Sequence, residues 1–245
     1  MLRPQLPLAL SFVAALACGG KPPPRVASTA AERPAPQNVP NLDAVSVSGL
    51  HGTLSQEEIK AVLDPRLPKF LRCATARLSE LELLSGSLTF AFHIAVNGSV
   101  AEVSPSRSDM GDRATERCML EVAAAARFPE PHGGEADFTW PLELPLDSDV
   151  RAPTAFASEF AQPVLSARGN GPTQGEALLG GCGGSQYQVT AYLDPDGRVL
   201  AAGVASADAA TPAELDCIAD GVQHWTFPSP GSYAGKVQFE LGASH

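Results

Sequence analysis

The residues of this chain that could do chemistry are its five cysteines, its five histidines and a scatter of paired acids. Cys18 closes an apolar stretch at the N-terminus, while Cys73, Cys118, Cys182 and Cys217 fall two by two in the two halves of the chain. Four thiols allow three connectivities. Pairing within each half, Cys73 with Cys118 and Cys182 with Cys217, is preferred, because the helices expected to carry them lie on one face of one sheet. Buried free thiols and a metal site are the alternatives. Zinc is disfavoured, since the pairs are far apart and no histidine recurs beside them. Of His51, His93, His132, His224 and His245, only His93 falls in an expected strand, facing away from the apolar row. Asp194-Pro-Asp196-Gly197 opens like a calcium loop but lacks the later oxygens and the closing glutamate, so a hairpin turn accounts for it. Gly180-Gly181-Cys182-Gly183-Gly184 contains no phosphate-binding loop pattern. Glu57 and Glu58 sit where a helix start favours negative charge. No catalytic constellation emerges, so we read the chain as a non-enzyme with no cofactor and no metal.

The elements that must position these residues occur twice. Gly98, Val100, Cys118, Phe128, Pro129 and Pro131 recur as Gly197, Val199, Cys217, Phe227, Pro228 and Pro230, all at one offset of 99 residues. One ungapped register over six identities is the mark of a duplication. Each copy is near the size at which a single core is only marginally stable.

In the first copy, Ser55-Gln-Glu-Glu58 is a capping box ahead of Ile59, Val62 and Leu63, so a helix begins there. Pro65 and Pro68 interrupt it. A helical stripe then resumes at Phe70, Cys73, Ala74, Arg77, Leu78 and Leu81. From Leu88 the period becomes two, with Phe90, Phe92, Ile94 and Val96 on one side. Asn97-Gly98 marks the hairpin, and Val100 and Val103 begin the returning strand. Asp112 caps a second helix with Ala114, Cys118, Val122 and Ala125 on one face. Phe128-Pro129 stops it, and Phe138, Trp140, Leu142 and Leu144 form a third strand containing Pro141 and Pro145, tolerable only at a sheet edge. The second copy repeats the order. It has a short helix at Ala177, Leu178 and Leu179, a strand at Tyr187, Val189, Ala191 and Leu193, and a capping box Thr211-Pro-Ala-Glu214. Val237, Phe239 and Leu241 close it as the last strand. The expected fold class is α+β: two tandem α-β-β-α-β two-layer domains, each a three-stranded antiparallel sheet with two helices on one face.

Residues 1–18 carry one cation and an apolar run too short to span a bilayer, as an export signal does. Ala17-Cys18-Gly19 resembles the lipobox of bacterial lipoproteins, which implies lipidation at Cys18 and, with Gly19 following, outer-membrane sorting. Plain secretion with cleavage near Ala15-Leu16-Ala17 is the alternative. Residues 19–53 hold six prolines and no period, and we read them as a disordered tether spanning on the order of 30 Å. The remaining boundaries are 54–146 for the first domain, 147–171 for a linker and 172–245 for the second, degenerate domain. The formal charge is −10, and both halves share it: residues 54–146 hold 9 basic and 14 acidic side chains, residues 151–245 hold 4 and 9. A nucleic-acid partner is therefore excluded on charge.

The sequence Ile59…Phe70-Leu-Arg-Cys73…Gly86…Phe90…Gly98-Ser-Val100…Gly111-Asp112…Cys118…Phe128-Pro129-Glu-Pro131-His-Gly133-Gly134…Pro141-Leu142 resembles the TonB C-terminal-like domain, and more narrowly its AgmX/PglI branch linked to gliding motility. The resemblance covers about 90 residues of the first copy, and the second keeps part of the pattern. It implies a periplasmic module that binds a protein partner by strand addition along the last strand. Here those edges would be Phe138, Trp140 and Leu142 in the first copy and Lys236, Val237, Gln238, Phe239, Glu240 and Leu241 in the second. The second is the better candidate because it lacks proline. The chain shows an export leader rather than a transmembrane helix, so energy transduction is not expected. A structural spacer touching peptidoglycan is the alternative function.

Overall fold

The computed structural model describes residues 52–169, 171–184 and 186–242. The leader and Cys18 lie outside the described residues, as does the tether up to residue 51. The far end of the expected tether is already pinned: Thr53 and His132 exchange two backbone hydrogen bonds at 2.9 Å.

The first copy begins with α1 (Gln56–Leu63), capped by Ser55 and Glu58 as the sequence predicts. A single 3-10 turn at Asp64–Arg66 carries the chain past Pro65 into α2 (Leu67–Thr75). The helix ends at Thr75, short of the predicted stripe, so Leu78 is exposed while Leu81 reaches the core from a turn. Strands β1 (Gly86–Ile94) and β2 (Val100–Ser108) form the hairpin, α3 (Arg113–Ala124) follows, and β3 (Ala136–Leu144) returns beside β1. The sheet is antiparallel in the order β2-β1-β3. Pro141 lies in β3, its terminal strand, opposite Thr89, whereas Pro145 falls beyond the strand's end. Leu88, Phe90, Phe92 and Ile94 are all buried, and the Phe92 and Phe138 rings stack at 4.8 Å.

The hairpin turn sits one residue earlier than Asn97-Gly98 suggests. Gly98 N–H bonds Ala95 O, which puts Val96 and Asn97 at the corners and Gly98 after them at φ +75°. Val96 is thereby exposed instead of joining the apolar row. Gly197, at φ +82°, closes the second hairpin in the same way on Asp194. In each copy the glycine carbonyl accepts the N–H of the phenylalanine that follows the second helix, Gly98 from Phe128 and Gly197 from Phe227, both at 2.8 Å. A Cβ on either glycine would strike that phenylalanine's carbonyl. The shared hairpin glycine and Phe-Pro pair are therefore two sides of one contact.

Helix α3 is rotated from its predicted face. Ala114 and Ala125 are exposed, and the buried side chains are Arg113, Thr115, Glu116, Met119 and Ala123. Cys118 must point sideways to reach Cys73 on α2, which turns Met119 and Ala123 onto the sheet and brings Glu116 to the far flank.

In the second copy α5 (Gln174–Cys182) runs through Gly180 and Gly181 and carries a capping box from Thr173 and Glu176. Between the copies lie β4 (Thr154–Phe156), a 3-10 turn at Ser158–Ala161 and α4 (Gln162–Leu165). Then follow β5 (Gln186–Leu193), β6 (Val199–Ala205), α6 (Pro212–Gln223) and β7 (Gly235–Gly242). The expected three-stranded antiparallel sheet is here a four-stranded mixed one, ordered β4-β7-β5-β6, because the linker donates β4 parallel to β7. The described residues of the two copies belong to one compact unit. Tyr192 and Ala201 of the second sheet are even part of the first copy's core.

Both disulfides are intra-copy, Cys73–Cys118 and Cys182–Cys217, with Cα atoms 5.7 and 5.6 Å apart. They close loops of 45 and 35 residues, each restricting the unfolded chain by up to about 4 kcal/mol. Replacing Cys182 and Cys217 with serine is expected to lower the urea midpoint by a large part of that stability. An unchanged midpoint under oxidising conditions would show the bond to be incidental.

Candidate functional site

Along β7, Val237, Phe239 and Leu241 are buried in the second copy's core, leaving Gln238 and Glu240 exposed. Strict alternation on a sheet with one face in the core produces this division. Lys236 is no edge residue: its Nζ bonds the Ser85 carbonyl at 2.8 Å and lies over the Tyr192 ring, and burial lowers its pKa. The edge itself is closed over Gly235–Val237 by β4, which corrects the expectation of a free edge there. Past Val237 the strand pairing ends, and the 3-10 turn at Ser158–Ala161 packs against β7. Two clefts of about 440 and 520 Å³ follow the rest of β7 and meet at Gln162 and Glu240. The first is lined by Phe156, Ser158, Gln188 and Gln238 as well, the second by Leu165, Thr173, Glu176 and Leu241. In β3, Phe138, Trp140 and Leu142 all point into the core, so a partner on that side would meet backbone and the alternate residues.

His93 lies on the outer face of the first sheet. Its Nδ1 is 2.7 Å from Asp137 and its Nε2 3.4 Å from Glu135. The hydrogen bond to Asp137 is the main reason its pKa is raised above the ordinary value of 6.5. The 99-residue offset places Tyr192 at the same position of the second sheet.

That second face is covered by the first copy, and the joint is where sequence reading found least. Glu116 is fully buried. Its Oε1 accepts from the Ser108 hydroxyl at 2.6 Å, and its Oε2 accepts from the Val204 N–H in β6 at 3.0 Å. Arg113, also buried, is drawn to Asp216 of α6 at 2.8 Å, where Arg117 converges at 2.9 Å. The Arg113 Nη1 stands 4.0 Å from Glu116 and has no hydrogen-bond partner among the described residues. Tyr192 donates to the Ser85 carbonyl at 2.9 Å and accepts from its N–H at 3.1 Å. Thr190 donates to the Ser108 carbonyl, and the Ser206 N–H bonds Pro105. Gly203 leaves room for Glu116 and Gly111 for the Tyr192 ring. A signal for Glu116 did exist in the sequence: the repeat register aligns it with Leu215, a core residue of the second copy.

The remaining candidates have structural work. Asp194 Oδ1 accepts from the Asp196 and Arg198 N–H groups, an Asx turn that shapes the hairpin. Among the described residues no three His, Cys, Asp or Glu side chains are grouped to hold a metal ion, and no helix is long and apolar enough to cross a membrane.

A raised histidine pKa means that the His93–Asp137 pair stabilises the fold below about pH 6.5 and that this contribution is lost as pH rises through the folded-state value. An NMR titration should place the His93 midpoint above 6.5 and return it toward 6.5 in Asp137→Asn. Equal midpoints in the two proteins would show that Asp137 is not the cause.

Comparison of the chain with protein-family models, with curated proteins and with solved structures finds no match.

Proposed function

We propose that this chain is a non-enzymatic cell-envelope lipoprotein, lipidated at Cys18 and facing the periplasm, that binds protein by strand addition. The helix–strand–strand–helix–strand order of each copy supports its resemblance to the TonB C-terminal-like domain. The two disulfides suit an oxidising compartment.

The observation that carries the binding proposal is the half-paired edge of β7. The linker pairs three residues along it in parallel, then stops pairing and packs on β7 as the Ser158–Ala161 turn, and clefts continue beside Gln238, Glu240 and Leu241. An extended partner segment would continue the track that β4 begins. Its main-chain bonds would supply affinity and the flanking clefts would hold its side chains. A motility or transport assembly is the setting that the AgmX/PglI resemblance proposes.

A photo-crosslinking residue in place of Glu240 should capture a partner in intact cells, while the same residue in place of exposed Glu121 on α3 should not. Gln238→Pro removes a backbone donor and should weaken retention of that partner by roughly fivefold or more. Capture that is equal from both positions, or indifferent to the proline, would refute edge docking. Separately, Cys18→Ala should move the protein from the membrane to the soluble fraction, and continued membrane association would refute the lipid anchor.

A further inference from the structure

We propose that the joint between the two copies is a protonation-controlled latch, tight when Glu116 is neutral and loosened when it ionises. The carboxyl group is fully buried between α3, β2 and β6, so closing the joint strips it of water. Compensation for a negative charge there is incomplete. Of the charged groups around it, Asp112 on its own helix is repulsive and already serves as the α3 cap, bound bidentately by Arg77. Arg113 is attractive, with its Nη1 4.0 Å from Oε2 and not hydrogen-bonded to it, while its Nε is held by Asp216 of α6. Strands β2 and β6 face it with Ser108, Gly203 and Val204, which do not titrate.

The hydrogen bonds also say where the proton goes. Val204 can only donate, so Oε2 must stay an acceptor. The Ser108 hydroxyl can reverse its role, so the proton resides on Oε1 and bonds Ser108. Nothing in the packing demands an acid here, since Leu215 fills the aligned position of the second copy. Burial, outweighing the Ser108, Val204 and Arg113 contributions, pushes the Glu116 pKa up to about 7 from 4.5. A group whose folded-state pKa is raised supports the closed joint fully below 4.5, and that support is lost as pH rises toward 7.

Native-state hydrogen exchange of the full chain tests this at the Val204 and Ser206 amides, which bond across the joint. After correction for intrinsic rates, their protection should fall about 70-fold between about pH 5 and about pH 8. In Glu116→Gln the fall should be less than about threefold, while core amides of β1 and β5 keep their protection in both proteins. A flat wild-type profile, the same slope in Glu116→Gln, or a fall shared by the core amides would overturn the proposal. Should Glu116→Gln fail to fold, Ser108→Ala serves instead. It removes a bond that is stronger to the carboxylate than to the acid and should extend the fall to higher pH, whereas an unmoved profile would overturn the latch.

Discussion

The contact on which each copy depends is the hydrogen bond from the phenylalanine N–H to the hairpin glycine carbonyl, Phe128 to Gly98 and Phe227 to Gly197. It straps the segment leaving the second helix to the tip of the first hairpin. Neighbouring bridges, Ser99 with Arg127 and Arg198 with Thr226, extend it. Glycine is required twice over: φ is positive, and a Cβ would meet the phenylalanine carbonyl. The strap leaves Phe128 and Phe227 buried against Phe138 and Phe239 of the third strands. With the disulfide holding one helix to the other, hairpin, helix and last strand become a closed mechanical loop. The same constraints act at both places, and the same residue types meet them.

What the copies do not share is the outer face of the sheet. In the second copy it carries Thr190, Tyr192, Ala201 and Gly203, small or apolar and covered by the first copy. The aligned positions of the first copy are Ala91, His93, Glu102 and Ser104, a polar and open face. This polar face differs from its covered twin in the charge of His93 and Glu102 and in the size of Ser104. The joint therefore has a direction. The buried acid that bonds across it, Glu116, belongs to the copy that docks, and the glycine that admits it, Gly203, belongs to the copy that receives.

Much of this was legible in the residues. The capping boxes at Ser55 and Thr211, the cap at Asp112, the alternation through Leu88, Phe90, Phe92 and Ile94, and the pairing of cysteines within copies all appear in the structure where local chemistry put them. The misreadings share a cause. Ala114 and Ala125 looked like the core face of α3 because alanine fits a buried stripe, but the Cys73 partner turned the helix. The linker looked featureless because three residues at Thr154–Phe156 show no period of their own, and their strand conformation comes from the β7 backbone they pair with. Lys236 was placed on the docking edge, but the Ser85 carbonyl and the Tyr192 ring, both remote in sequence, hold it instead.

The sequence by itself determined the helices and strands of the two copies, their caps and their hairpin glycines, because caps, periodicity and glycine conformations act over a few residues. Only the tertiary structure decided what covers each surface: that β4 closes the β7 edge over Gly235–Val237, that one sheet face is spent on the joint while its twin stays open, and that Glu116 is buried. Burial is a property of what lies opposite, and hydrophobic pattern records the need for a cover without naming it.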